Sequence, residues 1–533
     1  MSALTSSMRR RRPTHAAAPH RRATTEGVFD LPRVDLDAFD LASVPTHLVN
    51  EDLVRRHAAL PLVKRGTRLF VAIADAANRE ALEAFAAATG LETEAVLVEK
   101  TKLAAAVSDY RSAGDETLLK ELEGHDEADP GRQRLGDDDV ELTDETPVVR
   151  YIHQTLLEAV ESSASDIHFE PYEQYYRVRM RIDGILREAR RPPVRLGRRF
   201  AARLKVMGKL DVTERRMPQD GRLQLSAGQR VVDFRINTLP TMHGEKVALR
   251  ILDSAAANLG IDDLGFEADQ NRLYREALGR PQGMVLVTGP TGSGKTVTVY
   301  AGLNRLNAEH RNIATVEDPV EINVDGINQV QVNARIGFDF ASALRAFLRQ
   351  DPDVVMVGEM RDLETAETAI KAAQTGHLVL STLHTNSAPE TLTRLRTMGV
   401  PAYNLATSVT LIVAQRLARL LCPRCRRPVH LPDDALIAEG FDAAQIERGL
   451  QLYDANDNGC GDCDHGYKGR TGIYEVVPLE AELQRLILAE RDSLALAETA
   501  QALGYDNIRG AGLRKVASGL TSLREVNRVM TTR

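Results

Sequence analysis

The apolar positions of the chain follow two spacings, a strand-like period of about two residues and a helix-like period of about 3.6. Residues 68–74 form an apolar run of strand length, and residues 78–90 show helical spacing that ends at Gly90. Arg177, Arg179 and Arg181 alternate with apolar residues, which predicts a strand with one basic face. A small α/β unit and a second, sheet-containing unit follow from these patterns.

Two short runs that are apolar throughout, residues 284–287 and 354–357, are typical of strands buried on both faces of a parallel sheet. From 253 to 421 such runs alternate with helical segments. This alternation predicts an α/β fold with a parallel sheet between two layers of helices.

Changes of pattern and composition divide the chain into six predicted segments. The first is rich in arginine without an apolar run after it, and the third is acidic with too few apolar residues for a core. We interpret the first as a disordered basic tail, with contact to anionic lipid or a partner as the alternative. The segments are a basic tail (1–30), an N-terminal α/β domain (31–113), an acidic linker (114–145), an arginine-rich second domain (146–252), a central α/β domain (253–421) and a C-terminal region with four cysteines (422–533).

Composition narrows the class of protein. The 533 residues are 43% hydrophobic and 27% charged, which is ordinary for a globular protein. The net charge of −7 counts against nucleic-acid binding through bulk charge. No apolar run reaches the ~18 residues that a membrane-spanning helix needs.

Residues 289–296 fit the phosphate-loop pattern G-x-x-x-x-G-K-[ST] without a mismatch, between a buried strand and a helical pattern. Glycines let the backbone wrap around phosphates, the lysine reaches the β and γ phosphates, and the threonine hydroxyl ligates Mg²⁺. A chance glycine-rich turn is the alternative. The predicted phosphate-binding residues are Gly289, Pro290, Thr291, Gly292, Ser293, Gly294, Lys295 and Thr296.

Two carboxylates end short apolar strands and are candidates for hydrolysis of a nucleoside triphosphate. Glu317 precedes Asp318-Pro319, and Glu359 follows the run that ends at Val357. Phosphoryl transfer needs Mg²⁺ and a carboxylate that orients the attacking water. The sequence does not divide these roles between the two residues, and a surface carboxylate is the alternative for each alone.

Histidines and arginines complete the set of candidates. His377 and His384 flank an apolar strand, where they sense the γ-phosphate, link subunits or serve only as structural groups. The arginines of the second domain form either a solvated strand face or a source of positive charge for the transition state.

All four cysteines occur in two C-x-x-C pairs, Cys422 with Cys425 and Cys460 with Cys463. Such pairs in a long chain without a secretory signal predict a tetrahedral Zn²⁺ site, and two unrelated thiol pairs are the alternative. Four thiolates leave no open coordination position, so we expect a structural role rather than a catalytic one.

The order of the motifs resembles that of the ATPases of type II secretion and type IV pilus systems. The resemblance runs from about residue 146 to the end, and more weakly over 31–113. Residues 233–254, 259–267 and 522–529 are most similar to the pilus assembly motors within that family. The motifs that carry it are SDIHFEP, RMRIDG, RRMPQDGR, GPTGSGKT, TVEDPVE, DPDVVMVGEMRD, GHLVLSTLHTNSA, AQRLARLLCPRC, GCGDC and GYKGRTGIYE.

The resemblance implies a RecA-like P-loop ATPase core, a PAS-like α+β second domain, a small N-terminal α/β domain and a helical, zinc-bearing C-terminal part. It assigns Glu317 to the attacking water and Glu359 to the neighbourhood of Mg²⁺. It places His377 and His384 in the family's histidine box. It also implies that Arg222 and Arg235 reach the nucleotide across domains.

The resemblance further implies a homo-hexameric ring in the cytoplasm, peripheral to the inner membrane and docked on a platform protein there. Its expected activity is ATP hydrolysis that powers type IV pilus assembly, with ATP, Mg²⁺ and Zn²⁺ bound and no nucleic-acid partner. A type II secretion ATPase is the nearest alternative. A nucleic-acid translocase and a ring that binds nucleotide without hydrolysing it are more distant ones.

Overall fold

The computed structural model describes residues 32–39, 44, 49, 51–107, 147–227, 230–252 and 259–531. The chain forms two compact units, residues 1–143 and 144–533. The predicted basic tail and acidic linker lie outside the described residues. No described helix combines the length and apolarity of a membrane crossing.

The first unit is a three-stranded sheet covered by helices. Strand β2 pairs antiparallel with β1 and parallel with β3, and Phe85 of the helix between β2 and β3 is fully buried. That helix begins where the Asn78 side chain accepts a hydrogen bond from the Ala81 N–H and ends at Gly90, whose φ is 66°. The small α/β domain predicted here is confirmed. Its elements are α1 (Glu51–His57), β1 (Leu60–Arg65), β2 (Arg68–Ile73), α2 (Arg79–Thr89), β3 (Glu92–Leu97) and α3 (helical at 100–107).

The second unit begins with a six-stranded antiparallel sheet in the order β6-β5-β4-β9-β8-β7. Apolar residues of alternating strand positions, such as Phe169 and Val178, are buried on one face against α5 residue Phe200. The elements are α4 (Pro147–Glu161), β4 (Ala164–Pro171), β5 (Tyr176–Ile182), β6 (Ile185–Arg190), α5 (Gly197–Met207), β7 (Gln219–Ala227), β8 (Arg230–Thr241) and β9 (Gly244–Leu252).

The three alternating arginines of β5 pair within their own sheet. Arg177 and Arg179 donate to the Glu170 carboxylate at 2.9 and 2.8 Å, and Arg181 lies 3.5 Å from Asp166. Burial opposes ionisation of Glu170, but hydrogen bonds from Arg179, Lys246 and Arg177 outweigh it and lower its pKa to about 2. This basic strand face is therefore an ion-pair network of the second domain.

The central sheet has seven strands in the order β12-β11-β13-β14-β10-β15-β18, and all pairs up to β15 are parallel. Strands β10, β13 and β14 are buried along their whole length, with apolar clusters on both faces. The parallel sheet between helices predicted from the sequence is confirmed. Its elements are α6 (Ala268–Leu278), β10 (Gly283–Thr288), α7 (Lys295–Leu306), β11 (Ile313–Glu317), β12 (Asn328–Gln331), α8 (Phe340–Phe347), β13 (Val354–Val357), α9 (Leu363–Gln374), β14 (Leu378–Leu383), α10 (Ala388–Thr397), α11 (Ala402–Ser408) and β15 (Val409–Leu421).

The C-terminal region contributes a strand that the sequence pattern did not predict. Strand β18 pairs antiparallel with β15, so the central sheet continues past the boundary proposed at residue 421. The remainder is mostly helical, as predicted. The elements are β16 (Arg427–Val429), α12 (Asp433–Glu439), α13 (Ala443–Glu447), β17 (Leu452–Asp454), β18 (Tyr467–Pro478), α14 (Ala481–Leu488), α15 (Ser493–Ala502), α16 (Ile508–Ala517) and α17 (Leu523–Thr531).

Strand β18 carries a buried carboxyl group, and its burial predicts a pH-dependent stability. Glu475 is 3% exposed, and one of its oxygens accepts a hydrogen bond from the Ala388 N–H at 3.2 Å. Burial raises its pKa to about 7. Because the folded chain holds this proton more tightly than the unfolded chain, the carboxyl group costs stability as pH rises from about 4.5 through 7.

We therefore expect Glu475→Gln to stabilise the protein at pH 8, by roughly 1–3 kcal/mol, and to have little effect at pH 5. Thermal unfolding at the two pH values measures this difference. Glu482→Gln on the exposed side of α14 is the control, and it should leave the unfolding temperature unchanged at both. An equal shift from Glu475→Gln at pH 5 and pH 8 would contradict the explanation from burial.

Candidate functional site

The carboxyl ends of four parallel strands bring the predicted site residues to one edge of the central sheet. The glycine-rich loop follows β10, and Glu317 is the last residue of β11. Glu359 comes two residues after β13, and His384 directly follows β14. Residues that are almost 100 positions apart in the chain therefore face the same cleft.

The loop between β10 and α7 has the backbone conformation that a phosphate nest needs. Gly289, Gly292 and Gly294 have φ angles of 149°, 79° and 88°, a region that residues with a side chain rarely adopt. A Cβ atom at Gly289 would lie 2.5 Å from the Gln415 carbonyl oxygen. Strand β15 also holds the loop in place, because the side-chain amide of its residue Gln415 donates to the Ser293 carbonyl at 2.6 Å.

The lysine of the loop is buried and points back at the loop. The Lys295 ammonium group donates to the Gly289 carbonyl at 2.7 Å and to the Pro290 carbonyl at 3.2 Å. Burial lowers its pKa to about 8, against the opposing attraction of Glu359. An anionic phosphate in the loop would favour the charged form, so this lysine is suited to bind one. Thr296, the predicted Mg²⁺ ligand, is exposed on the cleft side.

Glu317 is 4% exposed, and both of its oxygens accept hydrogen bonds. The Tyr300 hydroxyl donates to one oxygen at 2.6 Å. The Thr315 hydroxyl and the Gln329 amide donate to the other at 2.7 and 3.2 Å. These donors compensate for the burial of a carboxylate at the edge of the cleft.

The Glu359 carboxylate lies between the side chains of Arg361 and His384. The Arg361 guanidinium forms an ion pair with one oxygen, and His384 Nε2 lies 3.2 Å from the other. Arg361 also lies 4.0 Å from the Asp318 carboxylate. The residues that follow β11 and β13 are thus linked across the cleft.

The other predicted residues do not all lie at this site. His377 precedes β14 while His384 follows it, so the two lie about 20 Å apart at opposite edges of the sheet. His377 Nδ1 lies 3.0 Å from the Ala372 carbonyl at the end of α9, so the structure does not bring it to this site. Arg235 donates to the Glu321 carboxylate at 3.0 Å on the rim of the cleft. Arg222 faces Arg235 on the neighbouring strand and is exposed.

The cleft has a volume of about 1180 Å³ and lies between the second domain and the central sheet. Besides Lys295, the cationic side chains of Arg250, Arg361 and Arg470 line it, which favours a polyanionic ligand. These three arginines and Tyr300 were not predicted from the sequence as part of the site. Tyr300 lies four residues after Thr296, which places both on one face of a helix, whereas nothing in the sequence connects Arg470 with this loop.

The four cysteines form one cluster. All four sulfur atoms lie within 4.8 Å of one another. Three of the Sγ–Sγ distances are 3.7, 3.5 and 3.5 Å, close to the ~3.8 Å expected for a tetrahedron of thiolates around Zn²⁺. The Cys460 N–H donates to Cys463 Sγ at 3.2 Å, as expected for a turn that presents two thiolates to one ion. Cys422, Cys425, Cys460 and Cys463 therefore fit Zn²⁺, with no position left open for chemistry.

Comparisons with known proteins agree with this geometry. The family model "Type II/IV secretion system protein" matches residues 141–528, and the "MshEN domain" model matches residues 29–117. The chain is 54% identical over 506 residues to the type IV pilus assembly ATPase PilB of Pseudomonas aeruginosa, covering 94% of this chain and 89% of that protein.

It is 48% identical over 394 residues to the type II secretion system ATPase E of Vibrio cholerae, covering 74% of this chain and 77% of that protein. The solved structure of the Legionella pneumophila ATPase DotB shares the fold, with a TM-score of 0.52, 20% identity and coverage of 72% of this chain and 96% of that one. The resemblance predicted from the motifs is confirmed: the chain belongs to the family of type II/IV secretion system ATPases.

Proposed function

We propose that this chain is the ATPase that powers type IV pilus assembly. One observation carries the hydrolytic part: a complete phosphate loop and two carboxylates share the edge of one sheet in a cleft lined by basic side chains. The choice of pilus assembly rests on the relatives named as pilus assembly ATPases, which match 93–94% of the chain, against 74% for the type II relatives.

The residues of the cleft divide the chemistry between them. The loop N–H groups and Lys295 bind the phosphates, and the Thr296 hydroxyl holds Mg²⁺, which neutralises phosphate charge when bound. Glu359, which lies beside Arg361 and His384, would act on the bound Mg²⁺. Glu317 orients the attacking water as a general base.

We infer that six copies form a ring in the cytoplasm, peripheral to the inner membrane, where it meets a platform protein. The cleft is formed by the second domain and the central domain, so nucleotide binding and release would change their relative position. In a ring, sequential hydrolysis would rotate the second domains against the central domains. That rotation would turn the platform and add pilin subunits to the fibre. In that ring, Arg222 and Arg235 of the second domain would supply positive charge to the transition state.

A type II secretion ATPase remains the alternative, since the same cleft would serve it. Relatives named for type II secretion are 48% identical over 394 residues. The charge of the chain does not support a nucleic-acid translocase. The net charge is −7, and the arginines of β5 pair with carboxylates of their own sheet. The cysteine cluster is assigned to Zn²⁺ as a structural ion that fixes the start of β18 against β15.

Loss of hydrolysis should abolish pili and leave secretion unchanged. We expect Lys295→Ala and Glu359→Ala each to lower ATP turnover at least about 100-fold, because each removes a charge that acts on the transferred phosphoryl group or its metal. Cells that carry either variant should lack surface pili and twitching motility, while secretion of toxins or enzymes continues.

Lys371→Ala removes an exposed lysine from α9, outside the cleft, and serves as the control that keeps pili and turnover. Intact pili together with lost secretion would reassign the chain to type II secretion. If both processes survive in cells with an inactive cleft, the motor drives neither.

The zinc assignment predicts about one zinc ion per chain in the purified protein. Cys460→Ser should abolish that zinc and lower the unfolding temperature, because three thiolates and a hydroxyl bind the ion poorly. Elemental analysis and thermal unfolding measure the two effects. His465 lies beside the cluster and is not one of its ligands, so the His465→Asn control should retain the metal. Full zinc content in Cys460→Ser would refute the four-cysteine site.

A further inference from the structure

The Glu317 carboxylate accepts hydrogen bonds from three side chains that are not part of the phosphate-loop pattern. Two of them, Tyr300 and Gln329, come from elements on either side of β11. We propose that Tyr300 is a positioning residue of the hydrolytic site, which with Gln329 fixes the orientation of Glu317. This inference rests on the role of Glu317 proposed above.

Helix geometry places Tyr300 where this task requires it. Thr296 and Tyr300 are four residues apart on α7, so their side chains share one face of the helix, and both line the cleft. The helix that carries the candidate metal ligand therefore also carries the hydroxyl that donates to Glu317 at 2.6 Å. A shift of α7 relative to β11 would change the distance between Thr296 and Glu317 and would break the hydrogen bond from Tyr300.

Strand register places Gln329 at the other oxygen of the same carboxylate. Gln329 pairs with Thr315 in the parallel ladder of β11 and β12, and Thr315 lies two residues before Glu317, on the same face of the sheet. The Gln329 amide lies 3.2 Å from Glu317 and 3.2 Å from the Tyr300 hydroxyl. The carboxylate is thus fixed by its own strand, by the edge strand and by α7.

The hydrogen bonds to Glu317 serve the proposed reaction as well as the stability of the fold. Glu317 would act as the general base on the attacking water, and this requires a fixed position. A buried carboxylate held by three donors has one orientation, and a displacement of the base by about 1 Å is costly for proton transfer. The burial of the Tyr300 hydroxyl and its bond to Glu317 raise its own pKa, so it remains a donor throughout the neutral range.

Tyr300→Phe is the decisive variant. It removes one hydroxyl and leaves the ring, so we expect kcat for ATP hydrolysis to fall about tenfold. KM and the affinity for Mg-ADP should stay within about twofold, since Lys295 and the loop are untouched. Gln329→Leu removes the second donor, and should lower kcat in the same way without changing KM.

Tyr274→Phe is the matched control. Its hydroxyl is also buried and also contacts α7, but it donates to the Thr298 carbonyl at 2.9 Å and not to Glu317. Its kcat should equal that of the unmodified chain. A loss in Tyr274→Phe equal to that in Tyr300→Phe would mean that α7 tolerates no lost hydrogen bond, and would overturn a specific role for Tyr300.

A double-mutant cycle separates this proposal from the role of Glu317 itself. In the Glu317→Gln background, Tyr300→Phe should cause no further loss of kcat, because the group through which it acts is gone. A further tenfold loss there, or unchanged kcat in the single variant, would overturn the positioning role of Tyr300. If Glu317→Gln alone keeps its activity, the proposed role of Glu317 is what fails.

Discussion

The parallel register of β10, β11, β13 and β14 is the constraint on which the site depends. These strands pair without a break in the order β11-β13-β14-β10, so their carboxyl ends meet at one edge. The ladder is buried on both faces by apolar clusters, and a slip of one residue would turn each strand's buried side chains to the opposite face. The phosphate loop and Glu359 are far apart in the sequence. Their relative positions are therefore fixed by hydrophobic burial across the whole sheet.

A chain of polar contacts connects this edge to the second domain. Arg235 donates to the Glu321 carboxylate and to the Val320 carbonyl at 3.0 and 3.2 Å. The next residue, Ile322, has a carbonyl that accepts from the Gln329 amide at 2.9 Å, and Gln329 contacts Glu317. Three consecutive residues of one loop thus join a second-domain arginine to the groups that hold the candidate base. The hydrogen bonds thus form a continuous series from Arg235 of the second domain to Glu317.

The sequence predicted those parts of the site that depend on local pattern. Residues 289–296 are recognisable because the loop's function requires glycines and a lysine at fixed spacing, and Glu317 and Glu359 because each ends an apolar run. Arg470 was not predictable, because it reaches the cleft only through the pairing of β18 with β15, a contact between distant segments. His377 and His384 were predicted to flank one strand, but the sequence did not show which of them lies near the phosphate loop. Because β14 runs parallel to β10, His384 lies at the loop and His377 at the other end of the strand.

The β5 arginines show how side-chain chemistry is decided by neighbours in space. The alternation of Arg177, Arg179 and Arg181 correctly predicted a strand with a basic face, yet the sequence left open whether that face served a ligand. Glu170, itself 3% exposed, accepts from Arg177, Arg179 and Lys246, which makes the cluster a means of holding three strands together. Arg250 lies in the same sheet but lines the cleft, although it also contacts Asp166 at 3.1 Å. Within one sheet, Arg177 and Arg179 of β5 thus hold strands together, whereas Arg250 of β9 lines the cleft, because β9 borders it and β5 does not.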